Sequence, residues 1–257
     1  MVRKFEFWDF LSLVQDENGR AVGIVAQDLK TMDIEAFPGE AVCLATGGPG
    51  IVFGKSTNSV INTGTAAAAV YQQGACYANG EFIQIHPTAI PGADKLRLIS
   101  ESARGEGGRV WVPKDPKESR RGKDVPEKDR DYFLEAKYPG YGNLVPRDIA
   151  ARELFLKCFH DGKGVYNAKS GKNELEVYLD LTHIGEETLR RKLAGILEIY
   201  EKFVGEDPYH NPMRVFPAVH YSMGGLWVDF ERRESDGGVR RGWRDHHWRA
   251  GQRHRWH

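Results

Sequence analysis

The sequence predicts an α/β protein on three observations. Two β-rich runs flank Asn18-Gly19, an apolar strand "EAVCLATGG" delivers the chain to a glycine turn, and residues 186–205 place apolar side chains at i, i+4, i+7, i+8 and i+11. The 257 residues are 40% hydrophobic and 11% aromatic, enough apolar surface to bury a core. Lys and Arg balance Asp and Glu at 36 each. The last 27 residues hold eight Arg against four acids, a net +4, so residues 1–230 carry 0 − 4 = −4. Cys43, Cys76 and Cys158 lie far apart with no C-x-x-C pair, against both a disulfide framework and a structural zinc site, and they suit a reducing compartment. No apolar run approaches the ~20 residues of a membrane span, and the start "MVRKFEFWDF" lacks a signal-peptide core, so membrane association is expected only through a partner.

In order along the chain, residues 5–14 and 20–28 read as strands of a hairpin. The strand through Val42 ends in Thr46-Gly47-Gly48, and "NTGTAAAAVYQQGA" reads as a helix with Gly74 as its stop. "GEFIQIHPTAI" alternates around Phe82, Ile83 and Ile85 and stops at Pro87, which cannot donate to a ladder, leaving His86 at a strand end. Residues 113–131 are charged and punctuated by proline, a solvated loop whose interleaved acids argue against nucleic-acid binding. "VPRDIAARELFLKCF" begins a helix near Pro146, with Ala151, Leu154, Phe155 and Cys158 as its buried stripe.

Four polar groups adjoin glycines or prolines at element ends, where a rigid scaffold presents functional side chains: "HPT" at 86–88, "SESARGEGG" at 100–108, "PRD" at 146–148 and "HYSMGG" at 220–225. Taken singly, His86 and His220 read first as hydrogen-bonded structural histidines, and Glu101 with Arg104 as an i, i+3 surface pair worth ~0.5 kcal/mol. Arg147 is harder to dismiss. In the first turn of a helix the macrodipole opposes a cation by ~0.3–1 kcal/mol, so the Arg points to an anionic partner. Arg147, Arg104, His86 and His220 together suit a dicarboxylate, and charge alone leaves a phosphate open. No metal site is expected, since His86, His160 and His183 lack H-x-x-x-H spacing.

In order, "ATGGPG", "STNSVINTG", "GEFIQIHPTAIPG", "SESARGEGGRVW", "YGNLVPRDIAAREL", "VYLDLTHI" and "FPAVHYSMGGLWVD" resemble the flavoprotein subunit of succinate dehydrogenase and fumarate reductase, most of all the menaquinone-using bacterial form. The resemblance runs from about residue 1 to 230. It implies an α+β capping domain inserted in a Rossmann-like FAD-binding domain, with a dicarboxylate held between them. Expected boundaries are a partial FAD-binding domain at 1–82, the capping domain at 83–220, a return strand at 221–231 and an unrelated, disordered basic tail at 232–257. By the same resemblance His86, Ser100 and His220 hold substrate carboxylates, with Ser100 standing where relatives often carry Thr. Arg147 moves the proton, and Glu101 and Arg104 relay it. Thr46, Gly47, Gly48 and Thr65 contact FAD, Thr65 standing where many relatives have Asp.

The implied reaction is oxidation of succinate to fumarate by hydride transfer to FAD. Implied partners are an iron-sulfur subunit and a membrane-anchor cytochrome b subunit, with quinone as electron acceptor. The location is the cytoplasmic side of the bacterial inner membrane, peripheral through those partners, with no nucleic acid. Fumarate reductase is the near alternative and L-aspartate oxidase the distant one. No G-x-G-x-x-G and no FAD-tethering histidine of the family pattern occur, so the chain is expected to be an internal stretch of a longer subunit, inactive alone. From Arg232 onward there are eight Arg, three of six Trp and four of nine His, without Lys, Ile, Leu or Phe. That composition suits out-of-frame translation better than a nucleic-acid-binding arm, the other reading.

Overall fold

A computed structural model describes residues 2–92 and 96–228, and the backbone of 248–250. In chain order the elements are β1 (Trp8–Gln15), β2 (Ala21–Asp28), β3 (Ile34–Pro38), β4 (Val42–Leu44), α1 (Thr65–Gln72), β5 (Tyr77–Ala78), β6 (Ile83–Ile90) and β7 (Arg97–Leu98). There follow α2 (Ser102–Gly105), β8 (Arg109–Pro113), β9 (Arg130–Asp131), α3 (Phe133–Lys137), α4 (Arg147–Phe155), β10 (Tyr166–Asn167), β11 (Lys172–Asn173) and β12 (Val177–Asp180). Last come α5 (Glu186–Val204), β13 (Met213–Ser222), β14 (Gly225–Leu226) and β15 (Trp248–Ala250). The mixture of helix and strand is the one the sequence predicts, and the chain divides into two compact units.

The first unit comprises residues 1–52, 60–83 and 221–257. β1, β2 and β3 form an antiparallel meander. The β1–β2 loop runs from Asp16 to Arg20 rather than turning on Asn18-Gly19 alone. The Asp16 carboxylate accepts the N–H groups of Asn18 (3.0 Å) and Arg20 (2.8 Å), and an Asx turn of this kind supports the longer loop. Leu13, Ala21, Leu44, Val70 and Ala75 form the core. Gln73, just past α1, pairs with β1 as a strand would: its amide accepts the Leu13 N–H (2.9 Å) and donates to the Leu13 carbonyl (3.1 Å). β14 pairs with β5, and Gly224 beside it lies against the Asn79 backbone with no room for a Cβ. β15 pairs parallel to β4; the rest of the expected disordered tail, residues 232–247 and 251–257, lies outside the described residues.

The second unit comprises residues 53–59 and 84–220. Its six-stranded sheet runs β7-β6-β13-β12-β8-β9. α5 buries Leu189, Leu193, Leu197 and Tyr200 in one core with Val177, Leu179, Met213 and Val215 of the sheet. The Tyr200 hydroxyl accepts the Arg214 N–H at 2.9 Å, and Gly205 ends α5 in the left-handed conformation.

Three expectations are corrected here. β6 continues through Pro87 to Ile90, so His86 lies within the strand; pairing with β7 begins only at Ala89, and the missing Pro87 N–H removes no bond from that ladder. The buried face of α4 is Ala150, Ala151 and Leu154, with Cys158 beyond it. Phe155 is exposed, one residue and so ~100° around the helix from Leu154, and it stacks on Phe159 (5.1 Å between rings) across the π-helical turn at Leu156–His160. The charged segment 113–131 is anchored rather than free. Its end forms β9 against β8, Val125 is buried, and the Arg130 guanidinium sits 4.6 Å over the Trp111 ring while donating to the Val125 carbonyl and to Asp180, each at 2.9 Å.

Candidate functional site

Within the second unit, β6, α2, the start of α4 and the end of β13 bring five of the predicted polar residues into one cluster. The period of two along β6 puts Gln84 and His86 on one face. Glu101 precedes α2 and Arg104 lies within it; the two are ion-paired. Arg147 is the first residue of α4, following Pro146, as predicted. Its guanidinium donates to Glu101 Oε2 (2.6 Å) and to Gln84 Oε1 (3.1 Å). Glu101 therefore sits between two arginines, with His86 Nε2 3.4 Å from the same Oε2. Arg104 is 3% exposed and also donates to the carbonyls of Asn143 (2.7 Å) and Val145 (3.2 Å). The "GNLVPR" loop is thus tied to α2 just before it delivers Arg147.

His86 is fully buried, and the His220 ring stands edge-on to it at 5.1 Å. His86 Nδ1 receives the Thr88 N–H at 3.2 Å, with the Thr88 hydroxyl, itself donating to the Ile99 carbonyl (2.8 Å), at the same distance. Among the described residues, His86 Nε2 is buried with no hydrogen-bond partner. His220 Nδ1 lies 2.6 Å from the Thr57 hydroxyl. Burial, reinforced by Arg147 and Arg104, lowers the His86 imidazole to about 3. Burial, with His86 and Arg147 nearby, lowers His220 to about 4. Burial and then Arg147 bring Arg104 down to about 10. At neutral pH both rings are uncharged in a cluster whose cations are arginines. A carboxylate entering it meets neutral N–H donors and guanidinium together.

Ser100 is not drawn into these bonds. It is half-buried, and its hydroxyl donates to Ser102 Oγ (3.2 Å) and accepts the Ser102 N–H (3.3 Å). Sequence reasoning missed Gln84, Ser56 and Thr57. The spacing "QIH" carried a signal for Gln84; nothing local marked Thr57, which meets His220 from 163 residues away.

The other predicted residues lie in the first unit. Thr46 and Thr65 are exposed, the Thr65 hydroxyl 3.0 Å from that of Thr63. Gly47 has φ 73°, and the space of its absent Cβ is taken by the Asn62 side chain. A Cβ on Gly48 would stand 3.0 Å from the Ser222 Cβ. The Ser222 hydroxyl is buried there and has no partner among the described residues.

A family model described as "FAD binding domain" matches residues 1–240. The chain belongs to the FAD-binding domain family. In this family the implied cofactor is FAD, and the orphaned Ser222 hydroxyl beside Gly48 is a polar group that such a ligand would satisfy, so the residues fit it. This FAD-binding chain is 61% identical over 232 residues to the succinate dehydrogenase flavoprotein subunit of Bacillus subtilis, spanning 90% of itself and 36% of that protein. It is 32% identical over 234 residues to the fumarate reductase flavoprotein subunit of a Serratia species, again 36% of the relative's length. A solved quinol-fumarate reductase with menaquinol molecules superposes with a TM-score of 0.71 at 30% identity, over 86% of this chain and 36% of that one. The chain thus spans about a third of the length of the relatives it matches. These relatives are oxidoreductase flavoproteins named as subunits. Among the described residues no group of side chains could hold a metal, and no helix is long and apolar enough to cross a membrane.

Proposed function

We propose that the chain carries the dicarboxylate site and part of the flavin site of a succinate dehydrogenase flavoprotein, which oxidises succinate to fumarate. The observation that carries this reading is the Arg104–Glu101–Arg147 chain ending beside two uncharged histidines, one with a buried, unpartnered Nε2. His86 and His220 donate to one substrate carboxylate, and Ser100 lies near enough in sequence to the cluster to join them on binding. Arg147, held by Glu101 and Gln84, exchanges a proton at a methylene carbon of the substrate. Glu101 accepts hydrogen bonds from both arginines, so in succinate oxidation the proton that Arg147 takes from the methylene carbon leaves along Glu101 and Arg104, and in the reverse reaction a proton given up by Arg147 is replaced along the same path. Thr46, Gly47, Gly48 and Thr65, with Ser222, contact FAD. When bound, FAD supplies hydride-accepting chemistry. Electrons pass to an iron-sulfur subunit, a cytochrome b anchor and quinone, with the chain peripheral on the cytoplasmic side of a bacterial inner membrane. The reverse reaction uses the same residues, and the fumarate reductase relatives support it as the second reading.

Calorimetric titration with malonate, an unreactive dicarboxylate, tests the site. One equivalent binds, butyrate binds far more weakly, and Arg147→Gln weakens malonate roughly 10- to 100-fold. Absence of malonate binding, or equal affinity for butyrate, overturns the proposal.

A further inference from the structure

The second unit contains a short segment, residues 53–59, that meets the end of β13. Ser56 and Val219 form a parallel bridge, and the Val219 carbonyl accepts two hydrogen bonds there, from the Thr57 N–H (3.0 Å) and the Ser56 hydroxyl (3.0 Å). A carbonyl oxygen has two lone pairs. Both are occupied, so the 3.4 Å approach of the Thr57 hydroxyl to the same oxygen is a poor place for its proton. Among the described residues the remaining acceptor in reach is His220 Nδ1, at 2.6 Å. A hydroxyl that donates to Nδ1 leaves the neutral imidazole with its proton on Nε2.

The same arrangement recurs at His86 by different means. A backbone N–H can only donate, so the Thr88 N–H at His86 Nδ1 makes that nitrogen an acceptor. The Thr88 hydroxyl is spent on the Ile99 carbonyl. His86 likewise carries its proton on Nε2. Two rings 5.1 Å apart, each with a threonine at Nδ1, therefore present the same tautomer.

We infer that Thr57, oriented by Ser56, is a positioning residue that fixes His220 as an Nε2–H donor matched to His86, giving the site two neutral donors for one carboxylate. The carboxylate part rests on the reading of the site as a dicarboxylate pocket; the tautomer part does not. In the opposite tautomer His220 would turn a lone pair toward an anion, replacing attraction with repulsion. Neither ring adds charge beside Arg104 and Arg147, so the donors cost no cation–cation repulsion.

Long-range 1H–15N spectra of the full chain labelled with [15N]histidine at pH 7 test this, with His220 assigned through His220→Gln. Wild type is expected to show the Nε2–H pattern for His86 and His220. Thr57→Val is expected to shift His220 toward Nδ1–H while His86 stays unchanged, which also reports that the fold persists; Thr57→Ser keeps the wild-type pattern. Malonate should bind Thr57→Val roughly 5- to 10-fold more weakly and Thr57→Ser within about 2-fold of wild type. An Nδ1–H pattern for His220 in wild type, or an unchanged pattern in Thr57→Val, overturns the inference, and the wild-type spectrum decides it even where Thr57→Val does not fold. A changed tautomer with unchanged malonate affinity overturns the donor role. The expected tautomers in a protein that binds no malonate support the positioning role and overturn the dicarboxylate reading instead.

Discussion

His86 and His220 couple the cluster to pH in the same direction as the ion-paired carboxylates Glu135 and Asp207, whose folded values are also lowered, but beginning at a higher pH. Both imidazoles have folded values below their ordinary one, about 3 and about 4, so the unfolded chain binds protons first. Their contribution to stability is present in full above about pH 6.5 and is lost as pH falls toward those folded values. Denaturant midpoints should drop between pH 7 and pH 5, and the drop should shrink in His86→Asn; an equal drop in both proteins would contradict the assignment. Arg104 is the structural counterpart. Arg104→Gln strips charge from beside Glu101 and leaves the half-buried Asn143 carbonyl and the buried Val145 carbonyl short of a donor, so urea unfolding should show a loss of about 2–4 kcal/mol. Much of this cluster was legible in the sequence, because its charged members adjoin glycines and prolines that interrupt apolar runs, and an Arg opening a helix contradicts the local field. Thr57 was not legible. Its meaning comes from a carbonyl already saturated by its neighbours, a fact of packing that a linear pattern does not encode.

At the scale of elements, hydrophobic period gave α5 to within a residue or so and failed on one face of α4. The recurrence of Leu189, Leu193, Leu197 and Tyr200 at i, i+4, i+8 and i+11 names one face of the 19-residue α5 unambiguously. In the nine residues of α4 the apolar pattern is too short to fix the face: the buried row centres on Ala150 and Leu154, and Phe155, ~100° further round, is left outside it. A paired measurement separates the two: Leu154→Ala should cost about 2–5 kcal/mol and Phe155→Ala under about 1.5 kcal/mol, the latter being chiefly its stacking on Phe159. Comparable costs would mean that Phe155 is buried. Pro87 misled in a similar way. Proline forbids donation rather than extension, and β6 uses that position where its ladder with β7 has not yet begun.

For the whole molecule, the contrast between its two cores sets the expected unfolding behaviour. Among the described residues the first unit clusters five buried apolar residues and the main core of the second clusters 21. Burial of this kind contributes roughly 25 cal/mol per Å², so the first unit should open at lower denaturant. Native-state hydrogen exchange should find β1 and β2 amides exchanging through a lower-energy opening than those of β12 and β13, and a single common opening would refute the division. The division also bears on how the gene can be cut. Residues 53–59 fold with 84–220 although first-unit sequence lies on both sides of them, so an open reading frame spanning codons 84–220 omits the strand partner of Val219 and the hydroxyl at His220. A minimal expressible version needs codons 53–59 grafted ahead of codon 84 through a linker, or supplied in trans as a synthetic peptide, making that heptapeptide a natural split point for a complementation assay.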